Sequence, residues 1–480
     1  MDKPIELMEK YERNGWPSLQ RPDLKPPQGW SLSLLTSLER IRSHALSPDG
    51  KTIAYIKDGE SHSDVFLLPT SGSWPARITT DRPPAPYWDD EIPAWSPDSQ
   101  WIAFSIRGHV HLVPLQGGLP RKITDFATSA SSPRFMPDSR GLIVTVDRND
   151  TDQLLLTDIQ GCWPRALTTD TRGDHWDARP SPDGKSIVYV LRRFDDLNRL
   201  DIILLEVETG KSITLYGKPS TRTLSPKWSP DGMWIAFLAQ EDERDEIYLV
   251  RPNGDGLHQL AQAGYDVAQF EWSPDSQQLA VIFNRNGAFD LSLMEVETGA
   301  VIDLGTGAGI YSNPNWAPDG SFITYEYESP LTPPDLYRIE LSGRRVRQLT
   351  FSNPPALQQN KMILPEIVSY KSFDGLEIPA FLYRPEKSNG AAVLYPHGGP
   401  KDQYAFFWDE LAQYFTSKGY TYLAPNYRGS TGYGKQFERA NYENWGIGDT
   451  QDCLQGAKYL QKIKNIRPES IGIAGGSYGG

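Results

Sequence analysis

A four-residue turn recurs along most of this chain, and it limits the folds open to it. The copies are Ser47-Pro48-Asp49-Gly50, Ser96-Pro97-Asp98-Ser99, Met136-Pro137-Asp138-Ser139, Ser181-Pro182-Asp183-Gly184, Ser229-Pro230-Asp231-Gly232, Ser273-Pro274-Asp275-Ser276 and Ala317-Pro318-Asp319-Gly320, so the proline returns every 40 to 49 residues. Proline presets φ at the second position of a β-turn, aspartate can bond its own backbone, and glycine or serine closes the turn. A β-rich run follows most copies, as in Ile53-Ala54-Tyr55-Ile56, Ile187-Val188-Tyr189 and Ile235-Ala236-Phe237. A second and a third strand come after it, with no long helical period. A repeat in the forties built this way has the length of one four-stranded propeller blade. Seven turns predict a seven-bladed β-propeller over residues 40–360. Each blade buries its faces against its neighbours, so the blades are stable only as a ring.

After Pro354-Pro355 the pattern changes. Asp374-Gly375 lies between two alternating runs and predicts a hairpin. Strands at Ala391–Tyr395 and Tyr420–Ala424 then alternate with helical stretches at Trp408–Ser417 and Asp449–Lys462. Such alternation argues for a parallel or mixed sheet covered by helices. The last apolar run, Ser470-Ile471-Gly472-Ile473-Ala474, is expected to be a buried strand. It leads into Gly475-Gly476-Ser477-Tyr478-Gly479-Gly480. A strand running into Gly-x-Ser-x-Gly is the pattern of a nucleophile elbow, the mark of an α/β-hydrolase. Residues 361–480 are therefore expected to be the N-terminal part of such a domain.

Acyl transfer builds negative charge on a carbonyl oxygen, and backbone N–H groups must face it. Pro396-His397-Gly398-Gly399-Pro400 ends a strand and lets the backbone approach closely. One donor is expected from Gly398 or Gly399 and the other from the N–H of Tyr478. His397 precedes the serine and is expected to be structural. A third loop, Asn426-Tyr427-Arg428-Gly429-Ser430-Thr431-Gly432-Tyr433-Gly434, leaves the sheet at the same edge. Arg428 there can orient loops, pair with a carboxylate or bind substrate carbonyls. It is carried with Tyr427 as a candidate substrate contact. In this fold the acid and the base follow the serine in chain order. They are expected beyond Gly480, in a protein truncated here, so these 480 residues alone are expected to be inactive.

The net charge of -13 argues against nucleic acid or anionic membranes as partners. The two cysteines, Cys162 and Cys453, show no ligand spacing, and the N-terminus carries no secretory signal. A cytoplasmic location is expected, with no metal or organic cofactor and with a homo-oligomer possible. His109-Val110-His111 lacks a third metal ligand, and the glycines of Gly305–Gly309 open no helix. Glu241-Asp242-Glu243-Arg244-Asp245-Glu246 is expected to be a solvated loop between strands.

Behind Pro-Asp repeats, the order His397-Gly398-Gly399-Pro400, Asn426 to Gly434, then Gly475 to Gly480 resembles the prolyl oligopeptidase family of serine peptidases. The likeness is greatest to its acylaminoacyl-peptidase branch. The resemblance implies a propeller that caps the hydrolase, so that only short or unfolded peptides reach Ser477. It implies that residues 1–39, Met8 to Arg13 included, pack on the hydrolase. The dipeptidyl-peptidase branch holds a free amine with paired glutamates, and this chain has no adjacent Glu-Glu. The alternatives are a propeller interaction protein with an inert hydrolase remnant, or an esterase on the same scaffold.

Overall fold

The computed structural model describes residues 30–59, 63–79, 92–148, 150–260, 263–353, 357 and 360–480. Among these, strands from Arg40–Leu46 to Arg345–Gln348 form seven successive antiparallel units of four, each in chain order. The last two units join through one parallel bridge between Phe289 and Ile310. The first strand of each unit faces a central channel of about 670 Å³.

The repeated turn works as its residues suggest. In the Ser-Pro-Asp copies the serine hydroxyl donates to the aspartate two residues on, at 2.6 to 2.7 Å. The fourth residue is left-handed in every copy, with φ of 72° at Gly50 and 59° at Ser99. Serine tolerates this strain because its hydroxyl has a partner. Ser99, Ser139 and Ser276 accept from the N–H of Asp49, Asp98 and Asp231 in the unit before, at 3.0 to 3.2 Å. Tryptophans just ahead of the turn add a second stitch. Trp95, Trp228, Trp272 and Trp316 donate their indole N–H to Ala45, Arg179, Lys227 and Glu271 of the preceding unit, at 3.0 to 3.2 Å.

Among the described residues no strand is exchanged to shut the ring. Side chains close it: Leu336 and Leu349 of the last unit pack with Ile41, Ile53 and Tyr55 of the first. His44 meets Glu326 at 2.8 Å, and Arg338 donates to the Thr70 carbonyl at 2.8 Å.

The second domain is built on a five-stranded sheet. Its order is Glu366–Lys371, Glu377–Tyr383, Thr421–Pro425, Ala392–Leu394 and Ile471–Ile473, and the last three are mutually parallel. The helix Gly448–Gln461 covers one face and Glu410–Ser417 the other. The strand before the elbow departs from expectation. It lies at the sheet edge, paired only with Ala392–Leu394 among the described residues, and Ile473 is 66% exposed. An apolar run announces burial only when both of its faces find neighbours.

Several seams join the two domains among the described residues, and three involve residues read from the sequence. Trp30 stacks on Trp408 at 6.0 Å and its carbonyl accepts from the Lys418 ammonium at 2.7 Å, while Met8 to Arg13 lie outside the described residues. The Glu328 carboxylate accepts from the Trp408 N–H at 2.8 Å. The third seam corrects the reading of residues 241–246. Glu243 and its neighbours dock on the short helix Lys435–Arg439, which no periodicity had announced. A charged loop satisfies another backbone as readily as it satisfies water.

Candidate active site

The elbow is built by contacts that only glycine permits. A Cβ on Gly475 would stand 2.1 Å from the Gly479 carbonyl oxygen, and one on Gly479 2.2 Å from that of Pro396. Ser477 is held at φ 54°, left-handed backbone that a non-glycine residue adopts only under constraint. Opposite it, a Cβ on Gly398 would lie 3.8 Å from the Ser477 hydroxyl oxygen, so that loop presents bare backbone to the serine.

His397 sets the loop's orientation. Its Nδ1 lies 2.6 Å from the Gly398 carbonyl oxygen and its Nε2 2.8 Å from the Ser430 hydroxyl. Burial holds the imidazole pKa below its usual value, so the ring is neutral. A carbonyl can only accept, which assigns the neutral ring's proton to Nδ1; the Ser430 hydroxyl beside Nε2 donates to the Tyr427 carbonyl at 2.6 Å. A trans peptide aims its C=O and N–H in opposite directions. With the Gly398 carbonyl turned to the imidazole, the Gly399 N–H points away from it. Neither that N–H nor the one on Tyr478 is bonded to another group among the described residues. Of the two glycines, it is Gly399 whose N–H is turned away from the imidazole.

Tyr478 is anchored by its side chain. The phenol donates to Asp449 in a short hydrogen bond and accepts from the Asn441 amide at 3.2 Å. Its ring stacks on Tyr427 at 6.1 Å. Burial pushes the Asp449 carboxyl up, but the bonds from Tyr478, the Gly446 N–H and Asn441 outweigh it and hold the pKa below the usual value. Acidity at a helix N-terminus suggests dipole stabilisation alone. Here Asp449 also anchors the phenol of the residue that follows Ser477.

Tyr427 and Arg428, carried as substrate contacts, both turn inward. The Tyr427 hydroxyl donates to the His397 carbonyl at 2.7 Å and its ring stacks on the imidazole at 4.5 Å. Arg428 grips Asp452 through Nε and Nη2 at 2.9 and 2.8 Å and reaches Asp374 through Nη1 at 2.9 Å. These bonds raise the guanidinium pKa above its ordinary value. The sheet edge is crowded enough to bury both side chains, so they support the loop. Asp452 and Asp374 are the partners that sequence reasoning missed; a buried arginine implies carboxylates but does not say which.

A cavity of about 570 Å³ lies between the halves. The hydrolase contributes His397, Asp402, Gln403 and Thr431 to its wall, and the propeller contributes Asp245 and Asp266. Ser477 is not on that wall. Among the described residues no histidine or carboxylate bonds to the Ser477 hydroxyl, no group of side chains has metal-binding spacing, and no helix is long and apolar enough to cross a membrane.

The TolB beta propeller domain family matches residues 30–217 and 209–366, and the prolyl oligopeptidase family matches residues 406–480, which hold the third loop and the elbow. The chain is thus covered over more than half of its length by the propeller family, and its residues 406–480 carry the match to the prolyl oligopeptidase family. Among its curated relatives is the uncharacterized peptidase YuxL of Bacillus subtilis, 26% identical over 93% of this chain and 78% of that protein. Dipeptidyl-peptidase 5 of Porphyromonas gingivalis is 23% identical over 93% of this chain and 75% of its own length. A crystal structure of puromycin hydrolase superposes with a TM-score of 0.82 at 18% identity, over 94% of this chain and 76% of the other. That superposition is a likeness of fold. The family places a serine-type peptidase on this scaffold.

Proposed function

We propose that Ser477 is the nucleophile of a peptidase acting on short peptides. Its Oγ attacks the scissile carbonyl, and the resulting oxyanion receives the N–H groups of Gly399 and Tyr478. The amine leaves, an acyl-enzyme remains on Ser477, and water releases it. The proton of the hydroxyl goes to an imidazole oriented by a carboxylate. The observation that carries the reading is the left-handed serine facing the bare backbone of Gly398. Short substrates are supported by the cavity of about 570 Å³ between propeller and hydrolase, which is walled by His397 and Thr431, though not by Ser477, and admits a few residues and not a folded protein. An oligopeptidase or acylaminoacyl-peptidase-like action is the first form, with the missing glutamate pair weighing against a free-amine anchor; the name of the Porphyromonas relative keeps dipeptide release as the second form. The free Cys162 and Cys453 suit a reducing compartment.

The test is labelling by a fluorophosphonate, applied to this chain and to a form extended with its natural downstream residues. Labelling at Ser477 in the extended form supports the reading, and its absence in both marks an inert remnant. Acyl-amino-acid anilides, free dipeptidyl anilides and nitrophenyl esters then separate the two peptidase forms from an esterase.

A further inference from the structure

The helix Lys435–Arg439 belongs to the hydrolase, yet the propeller caps it. Its N-cap residue, Gly434, has no side chain to offer the first N–H groups. The fifth unit supplies what is missing. The Glu243 carbonyl accepts from the Lys435 N–H at 2.9 Å, and the Glu243 carboxylate accepts from the Gln436 N–H at 3.1 Å. A Cβ on Gly434 would lie 2.9 Å from that carboxylate, so the glycine also makes room for it. Capping normally comes from the residue just before a helix; here it comes from another domain, nearly two hundred residues earlier. Lys435 completes the seat. Its ammonium donates to the carbonyls of Gln240 and Glu241 at 3.0 and 2.9 Å.

The other side of this helix holds the active-site loops. The Phe437 carbonyl accepts from the Gly429 N–H at 3.0 Å, and the Thr431 N–H donates to the Asp402 carbonyl at 3.0 Å. Between these points Ser430 meets His397, whose imidazole turns the Gly398–Gly399 peptide. The bonded path from the propeller rim to the oxyanion loop is therefore continuous.

We propose that Lys435 is a positioning residue: it seats the helix Lys435–Arg439 on the fifth propeller unit, and through that helix the propeller sets the geometry of the Gly398–Gly399 loop. The catalytic meaning of this rests on the function proposed above; the mechanical claim does not. Propeller docking and oxyanion-loop order then become one equilibrium, so a hydrolase lifted from its propeller loses the hole as well as the lid.

The experiment is hydrogen exchange on the 480-residue chain with Lys435→Met, which keeps length and removes the donors, and Lys435→Arg, which keeps donors. Glu243→Ala serves as an independent break of the same seat if Lys435→Met does not fold. Exchange across residues 396–403 and 429–434 should speed about tenfold in the Met and Ala variants and stay near wild type in the Arg variant. Strands remote from the seat, such as Arg40–Leu46 and Trp101–Ile106, should not change. The proposal is overturned if exchange rises only at 240–245, or rises everywhere alike. Failure of Ser477 to label, with the exchange pattern as expected, would instead remove the proposed function and leave the coupling standing.

Discussion

Replacing Arg428 with methionine strands a carboxylate that the fold has fully buried. Asp452 is 0% exposed and takes a bidentate grip from Arg428. In Arg428→Met it would keep only the Arg428 backbone N–H, at 2.9 Å, and the Ser372 hydroxyl. Removing one partner of a buried ion pair costs about 3–5 kcal/mol, and the two neutral donors place this case near the lower end. The reciprocal change should cost less. In Asp452→Asn the guanidinium keeps Asp374, whose side chain is 40% exposed, and the amide oxygen can still accept, so about 1–2 kcal/mol is expected. The double variant should fall short of the sum of the singles by about 2 kcal/mol. Because the chain has two domains, a global melt would blur the effect. Amide exchange within Gly448–Gln461, the helix that carries Asp452, reads it locally. About 3 kcal/mol corresponds to exchange roughly a hundredfold faster. If Arg428→Met sped that helix by less than about tenfold, or if Asp452→Asn cost as much, Arg428 would not be the buried partner described, and a role in holding substrate would return.

Burial raises Glu328 to about 7, against the Trp408 N–H that favours its anion. The unfolded chain loses that proton near the ordinary glutamate range, so stability should fall as pH rises from about 4.5 to about 7 and then level. Glu328→Gln keeps the acceptor and should be more stable than wild type at pH 8, by at most about 3 kcal/mol, and equal to it near pH 4. An unchanged pH slope in thermal melts would refute this. Gly479→Ala should abolish fluorophosphonate labelling of the extended form while leaving the propeller's circular dichroism intact, because its Cβ meets the Pro396 carbonyl oxygen at 2.2 Å. Tyr478→Phe keeps the backbone donor and removes two hydrogen bonds, so it should lower kcat/KM by about tenfold or less; a loss of three decades would give the phenol a direct role. Trp228→Phe removes one inter-unit stitch and should lower stability by about 1 kcal/mol in urea, whereas a cost near zero would deny the indole bond its part.

The turns at Pro48 through Pro318 and the elbow at Ser477 were legible because their chemistry is local. A Ser-Pro-Asp-Gly turn carries its own dihedral preferences and its own side-chain bond, and Gly475 and Gly479 announce a bend whatever surrounds it. Those short segments determined that the chain is a ring of small sheets followed by a serine on a sharp bend at the end of a parallel strand. Everything that depends on which distant residue arrives next was left to the tertiary structure. That Arg428 would meet Asp452 and Asp374, that Asp449 would hold Tyr478, and that the acidic run at Glu241–Glu246 would cap a helix of the other domain are pairings across tens to hundreds of residues. A buried charge or an uncapped N–H must find a partner, and sequence states that need. Only the packing of blade on blade, and of propeller on hydrolase, decides who fills it.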